Sequence, residues 1–243
     1  MPEPTIEQRL ACRNRPEQSP VMFQRWSELL FLHWDVNMEM IQKRLPEGLH
    51  LDLFEGKAYL GVVPFLMERV RPKGLPCVPW LSDFLELNVR TYVHDEQGRP
   101  GVWFFSLDCN QPIAVEIARK LFHLPYQHAK MSSEESYRCQ RKGESENAEY
   151  FYRGKQDLKT SEPGTLEFFL LERYLLFSHR KNGTLYCGQV HHEPYQFCEA
   201  KVEKWSDAPL KWENFDVEGG PISKLYSPGV PVEIFPLSGI SAD

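Results

Sequence analysis

Between Glu86 and Asp108 the chain alternates residue by residue in the manner of a β-hairpin. In an extended strand, Glu86, Asn88, Arg90 and Tyr92 fall on one face, and Leu87, Val89, Thr91 and Val93 on the other. At about 3.3 Å per residue the four polar groups form a row roughly 20 Å long. The return segment, Gly101 to Asp108, is apolar on both faces until Ser106 and Asp108, as befits a strand covered on both sides. Two placements of the row follow. If the first strand is buried with its partner, the row lines an internal polar cavity, where Glu and Arg need partners, water or a ligand. If the sheet is wet on one side, the row faces solvent. The residues alone leave both open.

The rest of the chain supplies neighbours for this hairpin. Leu29 to Val36 reads as a buried strand, and Asn37 as the N-cap of a short helix carrying Met38, Ile41 and Leu45. His50 to Phe54 alternates, Glu55-Gly56 turns, and Lys57 to Met67 is nearly continuous apolar sequence. Pro72, Gly74, Pro76 and Pro79 mark a long connection. After the hairpin, Asn110-Gln111-Pro112 starts a helix whose stripe is Ile113, Ala114, Ile117, Ala118, Leu121 and Phe122. Ser132 to Gly164 is polar and reads as an exposed hairpin with an acidic loop. Thr165 to Ser178 reads as a long apolar strand, joined by Lys181-Asn182-Gly183 to a strand over Thr184 to Val190. A polar helix is expected near Glu199 to Trp205, and Tyr226-Ser227-Pro228-Gly229 is read as a turn into a strand from Val230 to Phe235.

Nine or ten strands against two or three short helices predict a mainly β (α+β) chain. The expected architecture is an antiparallel β-barrel-like core with a few short peripheral helices. Residues 1–20 form an N-terminal arm, docked or frayed, and residues 21–243 a single domain; 243 residues that are 42% hydrophobic suffice for one full core.

Charge and cysteine usage narrow the function classes. With 34 acidic against 28 basic residues, the net charge is −6 and the basic groups are scattered, so nucleic acid is not an expected partner. No apolar run is long enough to span a membrane, and Met1-Pro2-Glu3-Pro4 lacks the basic and apolar regions of a signal peptide, which predicts a cytoplasmic protein. The six cysteines share no close pair spacing and are expected to be reduced. Cys187, His191, His192 and Cys198 match no zinc pattern, so neither a metal nor another cofactor is expected.

Eight stretches together resemble the YqjF-like family of uncharacterised bacterial proteins: Leu29–Trp34, Leu45-Pro46-Glu47-Gly48-Leu49, Val63-Pro64-Phe65, Glu86–Val93, Gly101–Asp108, Leu124-Pro125-Tyr126, Leu171-Glu172-Arg173-Tyr174 and Tyr226-Ser227-Pro228-Gly229-Val230. The resemblance runs from about residue 20 to 236. It implies the acetoacetate-decarboxylase-like superfamily, with an antiparallel β-barrel-like fold around an internal active site, and supports the cavity reading. Acetoacetate decarboxylases carry a proline followed by two lysines after a helix like Ile113–Phe122. The first lysine forms a Schiff base with the substrate ketone and the second lowers its pKa. Here Pro125 is followed by Tyr126 and Gln127, so the resemblance does not extend to imine chemistry. Lys130 stands nearby and reads as a solvated surface group.

The site expected from these readings places Arg90 as anchor for an anion, Glu86 as the proton-moving group, and Tyr126 or Tyr92 as donor to a developing oxyanion. Asn88, Tyr92, Ser106 and Gln127 are the expected ligand-binding neighbours. Asp108 reads as a helix cap and His33 as a satisfied core histidine. The function expected is binding of a small carbonyl or carboxylate compound in the polar cavity, by a non-Schiff-base enzyme or by a non-catalytic binding module. A purely structural role, with Glu86 and Arg90 paired to neighbouring strands, is the third reading, and a homo-oligomer is compatible with all three.

Overall fold

The computed structural model describes residues 3–155, 157–180 and 183–240. The chain opens with α1 (Ile6–Ala11), whose N-cap Thr5 and third residue Gln8 bond each other reciprocally in a capping box. This arm is docked. Arg9 grips Asp52 with two 2.6 Å bonds, Arg13 reaches Glu172 at 3.1 Å and Arg15 reaches Glu233 at 2.5 Å.

There follow β1 (Met22–Val36), α2 (Met38–Gln42), β2 (Leu49–Leu51), β3 (Ala58–Pro72), α3 (Pro79–Ser82), β4 (Phe84–Asp95) and β5 (Pro100–Cys109). Next come α4 (Pro112–Leu121), β6 (Tyr126–Ser132), β7 (Tyr137–Arg141), β8 (Ala148–Gly154), α5 (Leu166–Leu171) and β9 (Leu175–His179). The chain closes with β10 (Leu185–His191), β11 (Cys198–Lys204), α6 (Ala208–Trp212), β12 (Ser223–Ile234) and β13 (Ser238–Ile240). Among the described residues the strands form one sheet in the order β13-β10-β9-β5-β6-β7-β8-β11-β12-β1-β3-β4-β2. Further pairings of β5 with β4 and of β10 with β12 bend it into a partial ring. The fold is therefore mostly β, as expected, although β5 pairs in parallel with both β6 and β9. No helix among the described residues is long and apolar enough to cross a membrane.

Two apolar layers flank the β1-β3-β4 wall. Leu30, Leu32, Trp34, Leu60, Val62, Leu87 and Val89 pack on one side with Tyr137, Tyr150, Leu210 and Phe215. Leu29, Phe31, Val63 and Phe65 pack on the other with Tyr195, Phe197, Leu225 and Val232. This second side is the one on which Glu86, Asn88 and Arg90 project.

Several local expectations are corrected. Thr165 to Ser178 is not one strand: Thr165 caps α5, accepting from the Phe168 amide at 3.3 Å, and the strand starts at Leu175. Phe168 to Leu171 are all buried, so the helix is covered around its circumference and carries no polar face to betray its period. The hairpin within Ser132–Gly164 is not merely exposed, because Tyr137, Cys139, Arg141, Ala148 and Tyr150 close the core. The polar helix near Glu199 is instead β11, where Cys198 and Ala200 face inward and Glu199 and Lys201 outward. The stretch Tyr226–Gly229 does not turn; β12 runs through it. Gly229, at φ +126°, crosses so close to β1 that a Cβ would stand 2.1 Å from the Trp26 carbonyl oxygen. Of the expected Lys181-Asn182-Gly183 turn, Lys181 and Asn182 lie outside the described residues.

Candidate functional site

The β4 row is internal. Glu86, Asn88, Arg90 and Tyr92 are 3%, 4%, 9% and 0% exposed, which disposes of the solvent-facing alternative. On β3 Glu86, Asn88 and Arg90 oppose Phe65, Val63 and Gly61, and on β5 the four residues oppose Cys109, Leu107, Phe104 and Val102, so the polar groups have apolar flanks.

At one end stands Glu86. Its carboxyl accepts from the Tyr126 hydroxyl at 2.5 Å. Tyr126 is delivered there because β6 runs parallel to β5, with Leu107 opposite Tyr126. Tyr137, from β7, donates to the Glu86 backbone carbonyl at 2.6 Å and fixes the strand beneath it. Burial pushes the Glu86 pKa up to about 7; hydrogen bonds from Tyr126 and Asn88 oppose the rise and the charge of Asp108 adds to it. Burial likewise raises the Tyr126 phenol well above its usual range, so it remains a donor. Glu86 forms no ion pair among the described residues.

At the other end stands Arg90. Its Nη2 donates to the Leu170 carbonyl at 3.3 Å, and its guanidinium carbon lies 5.5 Å from the Phe31 ring centre and 5.6 Å from that of Tyr92. No carboxylate pairs with Arg90 among the described residues. His33, from β1, joins this end through an Nε2 contact of 2.7 Å with the Tyr92 hydroxyl. Gly61 makes room between them, since a Cβ there would come within 3.3 Å of His33 and 3.4 Å of Arg90. Burial, reinforced by the Arg90 charge, holds His33 well below the usual imidazole pKa and therefore neutral. His33 is thus not fully satisfied: among the described residues Nδ1 has no partner, and neither do Asn88 Oδ1 and Arg90 Nε. Three buried polar atoms on one wall are left with unused hydrogen-bonding capacity. His33 was legible only as a lone polar residue in an apolar strand.

Two expected neighbours lie elsewhere. Ser106 opposes Val89, so it projects from the other face, where its hydroxyl accepts from Arg141 Nη2 at 2.6 Å. Gln127 follows Tyr126 and pairs with Asp108, so it too points away from the row. Asp108 is no helix cap. Gln111 caps α4, accepting from the Ile113 amide at 3.2 Å, while Asp108 binds Arg141 through bonds of 2.7 and 2.8 Å. Lys130 is exposed. Cavities of about 370 and 160 Å³ open elsewhere, the first between Cys12, Arg99 and Cys187 and the second between Glu28, Tyr137 and Tyr152; no row side chain lines either. Among the described residues, no group of three or more His, Cys, Asp or Glu side chains is placed to hold a metal ion.

Comparison with solved structures places this architecture. The chain is similar to an acetoacetate decarboxylase from Legionella pneumophila, with a TM-score of 0.61 and 12% identity over 93% of this chain and 92% of that one. An acetoacetate decarboxylase-like enzyme from Sphingomonas wittichii RW1 gives 0.61 and 13%, covering 92% and 94%. The enduracididine biosynthesis enzyme MppR, complexed with pyruvate, gives 0.59 and 13%, covering 94% and 93%. These likenesses establish an acetoacetate decarboxylase-like fold. By sequence, the uncharacterized protein YqjF of Bacillus subtilis (strain 168) is 38% identical over 194 residues, 77% of this chain and 79% of its own length. Residues 23–231 match the DUF2071 family, described as an uncharacterized conserved protein, and the chain belongs to that family.

Proposed function

We propose that the buried β4 row receives a small carboxylate that also carries a carbonyl group, and that Glu86 moves a proton on it. One observation carries the reading: Glu86 and Arg90 share a buried wall, and neither has an opposite charge beside it among the described residues. An unpaired buried guanidinium is costly unless an anion arrives, and its planar fork suits a carboxylate. A carboxyl group with a pKa near 7 is suited to accept a proton from carbon next to a carbonyl at neutral pH. Tyr126 then turns its hydroxyl from Glu86 to the carbonyl oxygen and steadies the developing charge. With Tyr126 and Gln127 where the decarboxylases carry lysines, the route is enolisation without an imine. Pyruvate bound to the similarly folded MppR supports a 2-oxo acid as the first ligand to try.

A second reading is favoured by one detail. Arg90 leans toward Leu170, and it lies four residues from Glu86, about 13 Å along the strand. A ligand held at that end alone needs no proton transfer, which describes a binding module.

The experiment is deuterium exchange into the methyl group of pyruvate in D₂O, followed by NMR, together with thermal-shift titrations of pyruvate, longer 2-oxo acids and acetoacetate. The enzyme reading expects exchange lost in Glu86→Gln and ligand stabilisation lost in Arg90→Met; a ligand at a hundredfold its Kd stabilises by about 2.7 kcal/mol. Arg90-dependent stabilisation without exchange selects the module. A folded wild type that neither exchanges nor responds makes the row structural and overturns both.

A further inference from the structure

Helix α4 buries Val115 but leaves Ile113, Ile117 and Leu121 exposed at 43%, 41% and 64%. These three recur every fourth residue and form one stripe along the helix. The stripe floors a shallow surface cavity of about 460 Å³ lined by Pro112, Ile113, Glu116, Ile117, Lys120 and Leu121. At its N-terminal end, the Trp80 carbonyl of α3 accepts from Gln111 Nε2 at 2.8 Å, and Trp80 is itself 66% exposed. Leu75 and Val78, on the segment that leads into α3, are exposed as well. Isolated exposed apolar residues mean nothing, but a three-residue apolar stripe along one helix face marks an interaction surface.

We propose that this face pairs with a second copy of the same chain, α4 packing antiparallel on α4 across a two-fold axis near Ile117. The stripe is self-complementary: Ile113 of each copy meets Leu121 of the other, and the two Ile117 side chains meet at the centre. The flank agrees. Glu116 and Lys120 lie on the same side of the stripe, so the antiparallel arrangement brings Glu116 of one copy beside Lys120 of the other. In a parallel two-fold arrangement the same pair would fall on opposite flanks and could not meet. Lys120 has no ion-pair partner among the described residues, and Glu116 makes only loose, half-exposed contacts with Arg119 at 3.4 Å and His128 at 3.6 Å. Both are therefore available. A helix of ten residues is about 15 Å long, so the α4 contact by itself falls short of the roughly 800 Å² per partner of a standard interface. The dimer is accordingly reversible, with α3 at its rim.

Sedimentation velocity over a concentration series tests this. The wild type should shift with concentration from the 28.4 kDa of one chain toward twice that mass. Ile117→Asp should remain at the monomer mass while still folded and melting cooperatively, because the side chain it replaces is 41% exposed and Val115 carries the buried side of the helix. Glu116→Lys should weaken association severalfold, and adding Lys120→Glu to it should restore association by re-forming the pair in reversed sense. The proposal is overturned by a wild type that stays monomeric at several hundred micromolar, including one that instead co-sediments with anionic vesicles, or by a dimer that Ile117→Asp leaves intact.

Discussion

The two faces of the β4–β5 hairpin are equally buried and oppositely treated. On one, Asp108 and Ser106 are gathered by Arg141, whose Nη1 also reaches Glu213 at 2.5 Å and whose guanidinium lies 5.0 Å from the Trp212 ring centre. Every charge there has a partner from a different element: β5, β7 and the segment after α6. On the other face Glu86 and Arg90 stand in line on one strand, each bonded to neutral groups. The first arrangement holds the sheet closed, since Arg141 ties β7 to β5. The second contributes nothing comparable to closure and carries a standing desolvation cost. The contrast separates a buried charge that maintains a fold from one kept for another purpose.

Arginine substitutions test that contrast at its largest amplitude. Arg141→Met strands Asp108 and Glu213 inside the protein and should cost about 3–5 kcal/mol, read as a shift in urea midpoint at constant m. Arg90→Met removes a cation with no carboxylate partner among the described residues and should change stability by no more than about 1 kcal/mol. Equal losses in the two variants would show that Arg90 is structural after all and erase the distinction.

Glu86→Gln sharpens the comparison through pH. The Glu86 carboxyl is raised from 4.5 to about 7 in the folded protein, so the folded state holds its proton where the unfolded state has released it. The contribution is fully present below about pH 4.5, declines as pH rises toward 7, and is level above that. The whole span is about 3 kcal/mol. Glu86→Gln mimics the protonated form and should abolish this decline, gaining stability over the wild type at pH 8. Parallel stability profiles for the two proteins between pH 5 and 8 would mean that the carboxyl is not perturbed.

The membership of the row could be read from sequence because its signal is local: four residues at period two on a strand whose alternation is intact; its burial could not, since the apolar return strand fits a one-sided sheet as well. What completes the row was not local. Tyr126 arrives through a parallel pairing across α4, and His33 through a neighbour two strands away, neither of which has a short-range signature. Ser106 was misplaced for a definable reason. The register of β4 on β5 slips between Val89 and Arg90, where Phe105 is skipped, and a bulge is invisible in composition. By contrast, β11 was legible and missed: Cys198, Ala200 and Val202 alternate with Glu199, Lys201 and Glu203, a strand pattern that charge content disguised as a helix. Helix α5 was illegible in principle, because burial on all sides removes the periodicity on which such readings depend.

The smallest effect, a change at the Glu86 end alone, tests whether the two ends of the site depend on one another. Tyr126→Phe removes the hydrogen bond that the Glu86 carboxyl accepts and leaves the ring in its apolar surroundings, at a cost of about 1 kcal/mol. Because that bond favours the ionised carboxylate, its loss should move the pH-dependent decline of stability to higher pH while preserving its direction. The Arg90 end should be indifferent, so any carboxylate affinity measured by thermal shift should survive the change. If Tyr126→Phe abolishes ligand response as completely as Arg90→Met, the row acts as a single binding unit, with Asn88 bridging its ends. If it alters only the pH profile, anion capture and proton transfer are separate tasks set side by side on one strand.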